Sequence, residues 1–378
     1  MTEAPRRRVT TIAGWVLAAG GVAADLALLV THFVRRPWDA DFRIFFAAAT
    51  AGREDGWAHI YDQSRVHAIE MAIGPAPFWA YLNPPPLAWL AAPFALLPYG
   101  AGLAAWTLAL VVAFGLALHL AGPALVGGRR TWALAAACFA FPVVFGISEG
   151  QPTALLMLSA VGAWRLLRGG RDSLAGAVLG VSLLKPHLAW LVPLVFLVAG
   201  RPRVLLGYLA VLVPVAALSA LSLGPAGLGD WLAALSTTRS TVPPPLFILP
   251  AFLPTAPALA LELAAALFVL AAARRRRTDA SPALLLSMGL AGSLVAAPYL
   301  NIQDLSLLVA AGWLLWPEAV SRGRRALLGA VYLALAISPG SSLLVLPAEL
   351  VWLGTTWSRG AAKRSKESNP GHSDTVMK

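Results

Sequence analysis

Long apolar stretches recur from end to end of the chain, separated by short polar breaks. A helix needs about 20 mostly apolar residues to cross the hydrocarbon core of a bilayer. The pattern predicts helical spans near 12–34, 101–122, 131–148, 151–168, 174–184, 187–200, 204–223, 257–273, 282–298, 303–320, 326–339 and 343–357. The largest polar segment between them is 35–83. Within it, residues 42–51 and 63–73 have helical spacing and are expected as amphipathic helices lying on the membrane. Trp38, Trp57 and Trp79 suit a membrane interface.

Composition strengthens the membrane assignment. The chain is 58% hydrophobic and 12% charged, against about 25% charged residues in a soluble domain. The single cysteine, Cys138, excludes an internal disulfide and a cysteine-based zinc site. Arg6, Arg7 and Arg8 precede the first apolar run, which has no small-residue cleavage site and is expected to be a retained first helix.

The net charge of +11 is spread over short clusters between apolar runs, with no aromatic-interleaved basic face. That argues for membrane topology and against nucleic acid. The clusters are Arg6–Arg8, Arg129–Arg130, Arg165/Arg168/Arg171, Arg201/Arg203, Arg274–Arg277, Arg322/Arg324/Arg325 and the tail from Arg359 to Lys378. Placed in the cytoplasm, they put 22 of the 29 Lys and Arg inside and 7 outside. Both termini are then cytoplasmic, and the expected organisation is one integral membrane domain, 1–357, with a disordered polar tail, 358–378. The run 84–98 cannot count as a crossing without reversing every later cluster, so it is expected as a re-entrant or interfacial helix.

Arg171 and Arg201 both lie inside, so 174–200 must rise and return. Eleven residues rise only about 17 Å. The turn at Lys185-Pro186-His187 is therefore expected within the outer half of the membrane, where irregular backbone is tolerated only beside a cavity or packed in protein.

Candidate chemistry gathers at the outer ends of these segments. Asp39, Asp41, Glu54, Asp55, Asp62 and Glu70 lie in the first loop, Glu149 and Gln151 between two spans, Lys185 and His187 at the intramembrane turn, and Tyr299, Asn301, Gln303 and Asp304 at a later outer turn. Ionisable groups at such depth are costly, which points to function. One shared outward-facing cavity would collect them. The bland alternatives are that Glu149 and Asp304 cap helices and that Lys185 snorkels to the interface.

Asp41-Phe42-Arg43-Ile44-Phe45-Phe46-Ala47-Ala48-Ala49, with Ile60-Tyr61-Asp62 after it, resembles the first outer loop of glycosyltransferase family 87. Tyr81-Leu82-Asn83-Pro84-Pro85-Pro86 and Pro93-Phe94-Ala95-Leu96-Leu97-Pro98-Tyr99 resemble its Tyr-Pro-Pro and Pro-Leu-x-x-Leu-Pro-Tyr segments. Gly150-Gln151 resembles its Gly-Gln-Asn. Ala175-Gly176 through Lys185-Pro186-His187 resembles its Ala-Gly to Lys-Pro-Gln stretch. Ala297-Pro298-Tyr299 through Asp304-Leu305 resembles its Pro-Tyr to Tyr-Asp-Leu stretch. The matches keep their order over about 38–310. Departures are Pro152-Thr153 after Gln151, His187 for a frequent Gln, Gln303 for a frequent Tyr, and Leu82-Asn83 before the prolines. They bear on acceptor and sugar more than on fold.

The resemblance implies an all-α, GT-C-like membrane protein that transfers a sugar, mannose by the family's habit, from a polyprenyl-phosphate donor to a glycolipid or glycan acceptor. With such a donor, Asp41 is read from its position as the general base, with Asp39 and Glu149 as alternative acid or base groups. Lys185, His187, Gln151, Tyr61, Asp304 and Tyr299 are the expected substrate contacts. No nucleotide motif, phosphate loop or metal cluster is visible, so no cofactor or metal is expected. Rival functions are a lipid or solute transporter, which would favour internal repeats that are not apparent here, and an inactive assembly protein of the same fold.

Overall fold

A computed structural model describes residues 40–75, 77–122, 138–241, 248–318, 322–337 and 342–357, with residue 136 and scattered positions within 12–38. The described residues are helical, with no strand among them. The helices are α1 (Phe42–Glu54), α2 (Gln63–Ile73), α3 (Pro85–Ala91), α4 (Tyr99–Ala121), α5 (Phe141–Ser148), α6 (Thr153–Arg168) and α7 (Asp172–Leu179), followed by α8 (Leu191–Val198), α9 (Pro202–Thr241), α10 (Thr255–Arg275), α11 (Pro282–Val295), α12 (Ser306–Leu315), α13 (Arg322–Ile337) and α14 (Ser342–Thr356).

Three of these are long and apolar enough to cross a membrane: Tyr99–Ala121, Pro202–Thr238 and Thr255–Arg275. Of the rest, α5 to α8 and α11 to α14 fall near expected spans but are shorter than these three. α6 has 16 residues, α12 has 10, and α7 and α8 have 8 each. The structure thus supports a helical membrane protein, with three candidate spans among the described residues. Ten of the 23 residues of the expected span 12–34 lie outside the described residues, and the tail 358–378 lies wholly outside them.

The first polar segment folds differently from the expected pair of surface helices. α1 is buried continuously from Phe42 to Ala49 and again at Ala51 and Gly52. It packs against α2, α3 and α4. Its alanines are small enough to admit neighbours on several sides. The one charged residue in this buried run, Arg43, meets Glu70 of α2 at 3.1 Å and donates to the carbonyls of Gly74 and Pro77. α2 keeps an exposed face, and its N-terminus is capped by Asp62, whose Oδ1 accepts from the Ser64 and Arg65 amides.

α3 has seven residues and rises about 10 Å, too little to cross. A 3-10 turn, Phe94–Leu96, follows it before α4. The stretch 84–98 is therefore a short helix and turn, compatible with the expected interfacial segment.

The core is a chain of helix contacts running α4 to α6, α6 to α7, α7 to α9, and α8 to α9 and α11. α10 and α12 pack on α11, and α13 pairs with α14. α7 and α9 meet backbone to backbone. A Cβ at Gly176 would lie 1.9 Å from the Val204 carbonyl oxygen, and one at Gly207 would lie 1.9 Å from that of Ser173. Small residues at these crossings do the work that buried apolar area does in water, because lipid gives no hydrophobic drive between helices.

α9 breaks at Gly224, with φ 61° and ψ −177°, just before Pro225. The segment after the kink returns to the first polar segment. Gly227 sits over the Ala58 carbonyl, and the Trp231 indole donates to the Leu82 carbonyl at 3.0 Å.

Candidate functional site

Asp41 stands directly before α1. Its placement depends on a turn between α5 and α6, Glu149-Gly150-Gln151. The Phe42 amide donates to the Glu149 carbonyl at 3.0 Å, and the Asp41 amide donates to Glu149 Oε2 at 3.3 Å. From α4, Trp106 Nε1 donates to the Gly150 carbonyl at 2.6 Å. Gly150 has φ +71°, and a Cβ there would lie 2.7 Å from Phe42 Cβ. Only glycine satisfies both the left-handed backbone and that close approach. The docked turn then delivers Gln151, whose Nε2 donates to Asp41 Oδ2 at 2.6 Å.

A second group assembles from the helical hairpin and from the turn before α12. After α7 the chain tightens into a 3-10 turn, Gly180–Leu184, reaches Lys185 in a non-helical conformation, and resumes at Pro186–Leu188. Lys185 Nζ donates to Asp304 Oδ1 at 2.7 Å, with the side chains 4% and 0% exposed. Asp304 Oδ2 accepts the Asn301 amide at 2.8 Å, within a capping box on the Ile302–Leu305 turn. Backbone thus fixes one carboxylate oxygen while the other holds the lysine.

The two groups share one electrostatic neighbourhood. Burial pushes the Asp41 carboxyl above the usual carboxylate range. The Gln151 hydrogen bond and then the Lys185 charge pull it back, while the Asp304 charge pushes it further up. His187 and Tyr299 stand edge to face with ring centroids 6.4 Å apart. Tyr299 is 44% exposed, and its hydroxyl donates to Asn301 Oδ1 at 3.1 Å. Gln151 Oε1 and His187 Nε2 are buried without a hydrogen-bond partner among the described residues. Unmet buried polar atoms in a native fold call for an explanation, and a site for a polar ligand supplies one.

Of the residues expected as substrate contacts, the structure gathers Gln151, Lys185, His187, Tyr299 and Asp304 around Asp41. Two of the expected residues bond within the protein. Tyr61 is buried and stacked between Tyr81 and Trp231, with its hydroxyl donating to the Asn83 carbonyl. The Glu149 carboxylate accepts from the Asp41 amide. Asp39 lies outside the described residues. Sequence reasoning missed Trp106 and Gly150 as a docking point. The available signal was weak: one indole near the end of an apolar helix, and one glycine between two polar residues. Among the described residues no group of three or more His, Cys, Asp and Glu is arranged to hold a metal ion.

Chemically, the arrangement offers a half-buried carboxylate for proton transfer, an ammonium held by a second carboxylate, and buried acceptors without partners. The model for the family described as Glycosyltransferase family 87 matches residues 81–300. That range includes Gln151, Lys185, His187 and Tyr299, while Asp41 and Asp304 fall on either side of it. No curated protein and no solved structure matches the chain.

Proposed function

The chain belongs to glycosyltransferase family 87, and from that membership we propose that this membrane glycosyltransferase moves mannose from a polyprenyl-phosphate donor to a glycolipid or glycan acceptor. In the proposal the chain has a GT-C architecture with about twelve spans and both termini in the cytoplasm, and the reaction takes place on the non-cytoplasmic face. The observation that carries the proposal is Asp41, aligned by Gln151 at 2.6 Å and lying in the field of the Lys185–Asp304 pair.

Asp41 takes the proton of an acceptor hydroxyl. The hydroxyl oxygen attacks the anomeric carbon, the bond from that carbon to the phosphate oxygen breaks, and configuration inverts. Lys185 has three N–H donors, and Asp304 takes one of them. The others face the donor phosphate and stabilise the charge that grows on it as it leaves. Asp304 keeps the lysine in place before the donor arrives. His187 and Tyr299 line the same space and hydrogen-bond the sugars. The donor is a substrate, and the mechanism uses no cofactor.

Purified protein incubated with radiolabelled polyprenyl-phosphate-mannose and cell-envelope lipid extract should pass label to a new glycolipid or glycan. Label that stays on the donor while the donor crosses the bilayer of protein-loaded liposomes would favour a transporter instead.

A further inference from the structure

We propose that Glu349 and the cavity beside it receive a lysine carried by a membrane helix of a different protein, which makes the last helix pair of this chain an assembly site. The site lies apart from the reacting groups and depends on α14 spanning the membrane, as proposed above. Glu349 is 1% exposed, and neither of its carboxylate oxygens has a hydrogen-bond partner among the described residues. Asp304 and Glu70 are as deeply buried, yet each meets a cation. Glu349 is the eighth of the fifteen residues of α14, so about 10 Å of helix lies on either side of it. A carboxylate left unpaired at that depth is costly, so the group holds either a proton or a cation.

Glu349 borders open space. The cavity lies between three helices and is lined by Leu308, Ala311 and Gly312 of α12, Leu328 and Val331 of α13, and Trp352 of α14, together with Glu349. A Cβ at Gly312 would meet nothing within 4 Å, so the α12 wall is open there. The room for water-sized groups is about 20 Å³, enough for about one of them.

Charge and size select the ligand. The carboxylate calls for a cation, and space for one water-sized group suits a compact ammonium but not a planar guanidinium. The apolar walls suit the methylene stem of a lysine. Lipid headgroups lie outside the hydrocarbon and do not reach mid-membrane, whereas a partner helix carries its side chains there. A second copy of this chain cannot supply the group. Its lysines are Lys185, which Asp304 holds, and Lys363, Lys366 and Lys378, which come after α14. Leu333 of α13 and Leu350 and Val351 of α14 are exposed and give an incoming helix an apolar surface.

The test places purified full-length protein in phosphatidylcholine vesicles with a synthetic Leu-Ala transmembrane peptide carrying Lys, Arg or Met at its centre. Energy transfer between dyes reads their association. The Lys peptide should bind wild type roughly 10-fold more tightly than the Met or Arg peptide. That preference should vanish in Glu349→Gln, which keeps the shape and removes the charge, and in Gly312→Leu, which fills the cavity. Equal binding of the Lys and Met peptides by wild type would overturn the inference, as would a Lys preference that survives Glu349→Gln. Thermal stability in detergent gives an independent reading. Glu349→Gln should be at least as stable as wild type, because it relieves a buried acid that has no cation. A fall would show that a cation of this chain already holds Glu349, which would also overturn the inference. A membrane-impermeant maleimide applied to Glu349→Cys in a Cys138→Ser background tests the span itself. The thiol should stay unlabelled. Labelling would put this part of α14 in water and overturn both the span and the inference, whereas an unlabelled thiol with no Lys preference overturns the inference alone.

Discussion

Arg43 and Lys185 are both buried cations facing a buried carboxylate, Glu70 at 3.1 Å and Asp304 at 2.7 Å. Arg43 lies two positions after Asp41 in the chain, and Lys185 lies far along it, yet it is Lys185 that shares the chemistry of Asp41. The guanidinium of Arg43 also donates to the Gly74 and Pro77 carbonyls, so it ties α1 to the loop after α2. Lys185 makes one hydrogen bond to the described residues and acts on the Asp41 carboxyl through its charge. Burial pushes the Glu70 carboxyl up to about 7, and the Arg43 charge beside it only partly opposes that. A buried ion pair is therefore weak evidence of either stability or function. The neighbours decide: a fully engaged cation is a strut, and one with donors to spare is available to a ligand.

Replacing Lys185 has the largest expected effect. Lys185 pairs with the Asp304 carboxylate, so Lys185→Met strands a buried negative charge and should cost about 3–5 kcal/mol of stability. The double variant Lys185→Met/Asp304→Leu should recover thermal stability in detergent while transfer stays absent. Recovery of transfer in the double variant would make this pair a strut as well.

Arg43→Met should cost a comparable amount, because it strands Glu70 and two carbonyls. Here Arg43→Met/Glu70→Gln should recover part of the stability, and the folded protein should retain transfer. If that folded double variant binds donor normally but is inactive, the contrast between the two pairs fails.

Gly150→Ala tests the docking of the Gln151 turn on α1. The left-handed backbone alone costs about 1–2 kcal/mol, and the new Cβ meets Phe42 at 2.7 Å. Gln151 should be displaced, with transfer falling about 10²-fold and donor affinity little changed. A stable variant with wild-type kcat would show that the turn does not position the base.

The smallest effect is one of pH. A general base works when deprotonated, and Asp41 holds its proton above the usual carboxylate range. Transfer should therefore decline with falling pH at a higher pH than an ordinary aspartate would give, and recover as pH rises through that value. Lys185→Met/Asp304→Leu removes a charge that lowers and a smaller one that raises the Asp41 value, so donor-independent titration of Asp41 should move modestly upward in it. An acid limb at the ordinary aspartate value would remove the support that burial gives to Asp41.

The long apolar runs made the membrane class and the helical fold legible. α4, α9 and α10 carry their signal in length and composition, which need no tertiary context. The gathering of Asp41, Gln151, Lys185 and Asp304 was legible only as a side of the membrane inferred from the placement of Arg clusters. Which carboxylate meets Lys185 was not legible, because Asp41, Glu149 and Asp304 all fall on the same side in that topology and only packing separates them. α1 looked like a surface helix because Arg43 and the polar end at Arg53-Glu54 give it an amphipathic spacing. Its burial depends on Glu70, which lies on another helix and leaves no periodic trace. Tyr61 looked like a ligand group for the same reason: a Tyr-Asp pair in a polar segment does not reveal the rings of Tyr81 and Trp231 that enclose it.

The central claim is that Asp41 is the base of a sugar transfer for which the other groups prepare the site. Asp41→Asn keeps the side chain's size and can still hydrogen-bond Gln151, but the amide cannot take a proton. Transfer from radiolabelled polyprenyl-phosphate-mannose and donor binding should be measured on one preparation of wild type and Asp41→Asn. The account predicts wild-type thermal stability and donor binding with transfer lowered by about 10²–10⁴; near-wild-type transfer by Asp41→Asn would contradict it.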